Sequence, residues 1–299
     1  MDVLLRDQAA TVVITTKNRK DELRVAVRSA LAQTTSIEIL VIDDGSTDGT
    51  AEMLRVEFPS VNLQRREESR GLIVRRNEAA RLARGEILIS IDDDAEFSAP
   101  DIVEATLRDF DDPRVAAVAI PFTDINKGPM VKQKAPPVGR WITNEYIGTA
   151  HAVRRDIFTR LGGYREVLVH QGEEGDFCIR LLDAGFVVRL GSAEPILHYE
   201  SPKRSAARMN IYGQRNLMLF AWHNVPMPYL LVHLPATIWN GLVWGFKEGV
   251  LIYRLEGTCR GVAVILKQLF ERRPVRPNTY LEFRRLKKNG PAQVGTASG

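Results

Sequence analysis

EILISIDDDAEF, residues 86–97, sets an apolar run against three consecutive aspartates, Asp92, Asp93 and Asp94. The run reads as a buried strand, and the aspartates fall at its C-terminal end. Carboxylates this close repel, and each disfavours ionisation of the next. Two readings relieve the conflict. One is a solvated acidic turn, one of whose members caps the following helix. The other is a site for a divalent cation, whose charge removes the repulsion. Mg2+ and Mn2+ suit such oxygen ligands, with substrate phosphates often completing the shell.

Around this stretch, strands and helices alternate. TVVITT (11–16), IEILVI (37–42), VNLQRR (61–66) and VAAVAI (115–120) are further strand candidates. Between them, DELRVAVRSALAQ (21–33) spaces Leu23, Val27, Ala30 and Leu31 on one helical face, and GLIVRRNEAARLA (71–83) is helical. Asp48 is placed to cap a helix that runs to Phe58 before Pro59, and Pro100 opens PDIVEATLRDF (100–110) at a favoured first-turn position. The fold class implied is α/β, a mostly parallel central sheet with helices on both faces. Ligands of such sheets bind beyond the C-terminal strand ends. Thr15–Arg19, Asp43–Asp48 and Asp92–Asp94 should therefore converge, although they lie far apart in sequence.

From Thr123 to Ile147 the pattern weakens into what reads as a long loop able to fold over a ligand. Regular structure resumes with a helix near 154–160, GEEGDFCIRLLDAGF (172–186) and strands at 186–190 and 195–199. The chain has 299 residues, 44% hydrophobic and 26% charged, which excludes a disordered protein. A net charge of +4 gives no ground for nucleic acid as a partner. The excess is concentrated in 267–288, with eight Lys or Arg against two Glu. Cys178 and Cys259 form no CxxC pair, so neither a disulfide framework nor a zinc site is suggested, and a reducing cytoplasmic compartment is the default. MDVLLRDQAA lacks the pattern of a signal peptide.

Three further constellations carry polar chemistry. In VIDDGSTDGT (41–50), Asp43 and Asp44 end a buried strand, where a carboxylate can accept from a nucleobase N–H or ribose hydroxyls. Ser46, Thr47 and Asp48 read better as turn and cap residues. In GEEGDF (172–177), Asp176 reads as the cap of the helix that follows. Glu174 then stands just outside that helix, as an exposed acidic residue or as a general base for an acceptor hydroxyl. His198 ends an apolar run, a structural position or a metal ligand. His151, His170, His223 and His233 have no comparable setting.

Together VVITTKNR, VIDDGSTDGT, RGLIVRRNEAARLARGEILISIDDDAEF, GTAHAVRRDIFTRLGGY, GEEGDFCIRL and ILH, in this order over about residues 10–200, resemble the family 2 inverting glycosyltransferases of GT-A fold. The resemblance implies a nucleoside-diphosphate sugar as donor and Mg2+ or Mn2+ as cofactor. Asp92-Asp93-Asp94 resembles the family's DxD-type motif, with Asp94 as metal ligand and Asp92 and Asp93 near the metal or donor ribose. Asp44, Thr15 and Arg19 match the nucleoside pocket. Arg76 and Asn77 match an Arg-Asn pair whose charge lies near the diphosphate. Glu174 takes the place of the base, and His198 that of a histidine that completes the metal shell in some members. The chain departs from the family pattern in having Glu for the commoner Asp at 174, and Ser69 where many relatives have Asn. No Gln-x-x-Arg-Trp signature is present, so a single hexosyl or deoxyhexosyl transfer is implied, to a glycan or lipid-linked acceptor in cell-surface polysaccharide or glycolipid synthesis.

The remaining chain is of another character. Val225–Phe246 is uncharged and long enough for a membrane span. It is interrupted by Pro226, Pro228, Pro235 and Gly241, while Trp222, Tyr229, Trp239, Trp244 and the later basic run fit a segment at the membrane interface. A buried helical hairpin is the alternative. The expected organisation is a catalytic domain over 1–215, with its nucleotide half at about 10–120 and its acceptor half at 121–215. A helical region follows over 216–288, with a disordered tail over 289–299. Peripheral attachment to the inner face of the plasma membrane follows from the interfacial reading. Two other functions share these features: a sugar-nucleotide nucleotidyltransferase, although TTKNRKDEL lacks the glycines of its phosphate loop, and a non-catalytic membrane-associated binding protein of the same fold.

Overall fold

The computed structural model describes residues 9–200 and 205–294. The first half alternates as the sequence implies. β1 (Ala10–Thr16), α1 (Lys20–Leu31), β2 (Glu38–Asp44), α2 (Thr50–Glu57), β3 (Asn62–Arg66), α3 (Leu72–Leu82) and β4 (Ile87–Asp92) follow one another. β5 (Ala95–Phe97), α4 (Ile102–Arg108) and β6 (Val115–Ala119) complete it. Asp48 does its capping from one position further out than expected: its carboxylate accepts from the Thr50 N–H at 3.1 Å and, through its other oxygen, from the Lys20 N–H at 3.0 Å. One side chain thus serves the starts of both α1 and α2.

The stretch expected as a long loop is instead built into two sheets. β7 (Phe122–Asp124) and β8 (Val131–Lys132) form a hairpin, and β9 (Trp141–Thr143) enters the main sheet. After β10 (Ala150–Arg154) come α5 (Arg155–Arg160), α6 (Glu173–Asp183), β11 (Val187–Leu190) and β12 (Ile196–His198). Four helices follow: α7 (Ala206–Asn224), α8 (Leu230–Lys247), α9 (Leu251–Lys267) and α10 (Pro277–Asn289). Helix α7 runs unbroken through the boundary expected at 215/216, with Met218 and Leu219 of its buried face packed into the core of the catalytic half. The tail expected to be disordered contributes β13 (Ala292–Gln293), which pairs with β9. Residues 295–299 and most of the N-terminal stretch read for a signal peptide lie outside the described residues.

The main sheet has the order β13-β9-β11-β6-β10-β4-β1-β2-β3. Its β1–β2, β1–β4, β2–β3 and β6–β11 pairs are parallel, and β10 runs antiparallel between β4 and β6. Alternate residues of a strand face opposite sides. In β1, Val12 and Ile14 join the core under α1, α2 and α4, whereas Val13 joins the one under α3, α5 and α6. A smaller sheet, β5-β12-β7-β8, stands at the C-terminal end of β4 and carries His198. Among the described residues, no helix is long and apolar enough to cross a membrane.

Candidate active site

In β1, Thr15 is paired with Ile42 of β2 and Asp92 of β4, so the C-terminal ends of the three strands lie level. They open onto a cavity of about 580 Å3. Thr15, Arg19, Asp44, Arg76, Asp92, Asp93, Asp94, Glu174 and His198 all line it. The convergence that the strand order implied is therefore present.

The three aspartates are held by separate partners. Asp92 accepts from Arg76 Nη2 at 2.8 Å. Asp93 accepts from the Thr16 hydroxyl at 2.8 Å and from Arg19 Nη1 at 3.2 Å. Asp94 Oδ2 accepts from Arg19 Nη1 at 2.5 Å, while Asp94 Oδ1 faces His198 Nε2 at 3.3 Å. These partners divide the charge unevenly. Burial works to raise Asp94, but His198 and Arg19 outweigh it and hold the carboxyl at about 2. Burial, opposed by Arg19 and reinforced by Asp94, pushes Asp93 up to about 7.

Asp92, Asp94 and His198 offer donor atoms that lie within 4.8 Å of one another. His198 is buried, and among the described residues neither ring nitrogen has a hydrogen-bond partner. A buried imidazole beside two carboxylates is a donor set that could hold a cation. Two oxygens and one nitrogen fit Mg2+ or Mn2+, which take further ligands from water or phosphate.

On the other side, the turn after β2 depends on Gly45 at φ 83°, where an added Cβ would come within 2.9 Å of the Glu67 carbonyl. Asp44 is fully engaged by the chain. It accepts from Ser69 Oγ (2.7 Å), the Arg70 and Gly71 N–H groups (2.9 Å each) and Arg75 Nε (2.5 Å). Asp43 accepts from the Ser46 N–H at 2.8 Å through Oδ1, and its buried Oδ2 has no partner among the described residues.

Glu174 is the second residue of α6, not a loop residue outside it, because the helix starts directly after Gly172 in a left-handed conformation. The same shift puts Asp176 inside the first turn rather than at the cap. There it is buried, ion-paired with Arg165 and, at 3.1 Å, with Arg180, and it accepts from Asn224 Nδ2 at 2.7 Å. Arg76 links the two ends of the site. It holds Asp92, donates to the Gly148 carbonyl at 2.9 Å, and stands 3.4 Å from Glu173 Oε1 and 4.0 Å from Glu174 Oε1. Burial and then the charge of Glu173 push Glu174 up to about 8, against the pull of Arg76. Burial likewise raises Glu173. Gly148 is required by proximity: a Cβ there would collide with Glu174 Oε1 and lie 2.9 Å from Arg76 Nη1.

Asn77 does not join its neighbour in the cavity. It brackets the backbone of Tyr164, accepting from its N–H and donating to its carbonyl, each at 2.8 Å. Arg75, Thr16, Glu173, Asp124 and His170 belong to the site or line its cavity and were not singled out in the sequence. Arg75 had one legible signal, an arginine adjacent to Arg76 at the start of α3. Asp124 lay in the presumed loop, and His170 gave no sign.

Glu174 also lines a second, larger cavity of about 1010 Å3 between the catalytic half and α7, α8, α9 and α10. With Lys127, Ile147, Gln171, Glu200 and Met209, it stands where a polar space and an apolar one meet.

The model of the family described as glycosyl transferase family 2 matches residues 11–166. Among curated proteins, the succinoglycan biosynthesis protein ExoU of Rhizobium meliloti is 37% identical over 89 residues, 29% of this chain and 26% of that protein. An uncharacterized glycosyltransferase of Haemophilus influenzae is 27% identical over 184 residues, 58% of this chain and 61% of that one. The chain thus spans between about a quarter and three fifths of the length of these relatives. Among solved structures, the mannosyltransferase PcManGT from Pyrobaculum calidifontis, in complex with GDP-Man and Mn2+, superposes with a TM-score of 0.56 at 22% identity. The match covers 94% of this chain and 84% of that one. S. aureus TarS 1–349 in complex with UDP-GlcNAc gives 0.60 at 15% identity, over 77% and 72%. The fold is the GT-A type with added C-terminal helices.

Proposed function

The chain belongs to glycosyl transferase family 2, and we propose that it moves one sugar from a nucleoside-diphosphate sugar to a hydroxyl of a glycan or lipid-linked acceptor, with inversion at the anomeric carbon. The observation that carries this reading is the position of Glu174, in reach of the aspartate cluster through Arg76 and open to a second cavity. Glu174 accepts the proton of the acceptor hydroxyl. That oxygen bonds to the anomeric carbon from the face opposite the leaving group, and the nucleoside diphosphate departs with the bonding pair. Asp92, Asp94 and His198 would hold Mg2+ or Mn2+, which supplies charge neutralisation at the diphosphate when bound. Thr15, Arg19, Asp44, Arg76, Asp92 and Asp93 border the space for the nucleotide. Fixed dipoles and orientation supply most of the acceleration.

The relative in succinoglycan biosynthesis supports a role in cell-surface polysaccharide or glycolipid synthesis. Two free cysteines, one of them exposed, suit the reducing cytoplasm. Exposed apolar side chains along α8 and α9 support peripheral contact with the inner face of the plasma membrane. The test is a panel of nucleotide sugars, with and without Mn2+, read by released nucleoside diphosphate. Metal-dependent release from one donor, lost in Glu174→Gln, is the expected result; no release and no donor binding across the panel overturns the proposal.

A further inference from the structure

The larger cavity is floored by one face of α7. Ala206, Met209, Gly213, Leu217 and Phe220 recur at three- and four-residue intervals along it. At 1.5 Å per residue the floor is roughly 20 Å long. Trp244 and Phe283 close the far wall, and Glu174 and Ile147 stand at the end shared with the polar cavity. Gly213 keeps the middle open toward Arg254, whose Nη1 would lie 3.7 Å from an added Cβ.

Among the described residues three cations line this space, and two are neutralised. Lys127 pairs with Asp124 at 3.3 Å and with Glu200, and Lys287 with Glu145 at 3.7 Å. Arg254 is different. Its guanidinium lies 4.3 Å from the centroid of the Trp244 ring, and among the described residues its buried Nε has no hydrogen-bond partner and no carboxylate pairs with it. A partly buried guanidinium stacked on an aromatic face and lacking an anion is an incomplete site, since removing such a charge from water is unfavourable until a partner arrives.

We infer that this cavity binds the acceptor, and that the acceptor is a phosphate ester of a long hydrocarbon chain, with the phosphate on Arg254 and the chain along the α7 face. The inference rests on the glycosyl-transfer reading, because Glu174 at the shared end would then meet the hydroxyl of the sugar that the acceptor presents. An apolar trough with one uncompensated cation selects a ligand that is both greasy and anionic. Neither half alone satisfies it.

The test uses the full chain and dodecyl phosphate below micelle-forming concentrations, with binding read by calorimetry. Dodecyl phosphate should bind, and Arg254→Gln should weaken it at least tenfold. Leu217→Asp should do the same; Leu217 is half exposed, so this variant folds even if the other does not. Dodecyl maltoside or inorganic phosphate binding as tightly as dodecyl phosphate overturns the inference, and so does equal affinity in the variants and the parent. Nucleotide binding in the presence of Mn2+, measured on the same samples, reads the glycosyl-transfer proposal separately. If the nucleotides fail to bind while the dodecyl phosphate result holds, the functional reading falls and the lipid-phosphate site stands.

Discussion

Glu174 concentrates the residue-scale chemistry. Its carboxyl, pushed up to about 8 by burial and by Glu173, is mostly protonated at neutral pH, whereas a base must be ionised. For a required base, kcat/KM should climb about tenfold per pH unit up to roughly pH 8 and then level. Glu174→Gln should lower turnover by about a thousandfold, and Glu174→Asp should retain part of it. Stability should move the other way. An acid whose folded pKa exceeds its unfolded value of about 4.3 holds more protons when folded, so stability falls as pH rises from there to about 8. Glu174→Gln should therefore melt at a higher temperature than the parent at pH 8, and a lower melting temperature would refute the assignment of burial as the cause. At the proposed cation site, Asp94→Ala and His198→Ala should each weaken Mn2+ binding at least tenfold, read from the spin-resonance signal of free Mn2+; unchanged binding would remove these two residues from the site.

The residues that could be read from sequence were those announced by local context. Three aspartates after an apolar run, or a histidine closing one, mark a strand end, and strand ends in this fold face the ligand. Asp176 misled for the opposite reason. An acidic residue before an apolar run reads as a cap, but the helix starts already after Gly172, and Asp176 is taken up inside it by Arg180 of the same helix and by the distant Arg165 and Asn224. Arg75 and Asp44 are 31 residues apart, and nothing local announces their 2.5 Å contact.

At the scale of elements, long periodic segments were legible and short ones were not. α1 presents a full hydrophobic repeat and β4 an apolar run, and their bounds, like those of α3, fall within a residue or two of those read from the pattern. β7, β8, β9 and β13 have two or three residues each, too few to show alternation, and are defined by the strands they pair with. Helix α6 matters most here because it carries Glu174. It is tied to α7 by Asp176, which bonds Asn224 and the two arginines. Removing that carboxylate leaves buried guanidinium charge uncompensated, so Asp176→Ala should destabilise the protein by about 3 kcal/mol in urea unfolding. Asp176→Asn should recover little, because the amide keeps the shape without the charge. A loss under 1 kcal/mol in the alanine variant would mean that α6 is held by packing alone.

At the scale of the whole molecule, the C-terminal helices pose a question of solvation. α9 shows Ile252, Leu255, Cys259, Val262 and Leu266 at three- and four-residue spacing on its exposed side, and Phe270 beyond it is fully exposed. α8 adds Leu231, Val232, Trp239 and Phe246, the last two 69% and 74% exposed. Apolar surface so continuous marks an interaction face, and among the described residues no helix is long and apolar enough to cross a bilayer. Lys247, Arg260 and Lys267 lie on these same helices, where they would meet anionic headgroups. Seating on such a surface would also bring the neighbouring apolar cavity within reach of a lipid phosphate. The parent should co-sediment with vesicles containing one third phosphatidylglycerol and bind phosphatidylcholine vesicles several-fold more weakly. Each buried aromatic contributes roughly 1.5–3 kcal/mol, so Trp239→Ser with Phe246→Ser should lower vesicle affinity at least tenfold and leave nucleotide binding unchanged. Salt at 0.5 M should weaken the anionic preference but not abolish binding, because screening acts on the charges and not on the aromatic rings. Equal co-sedimentation of the double variant and the parent would show that the exposed stripes face something other than a membrane.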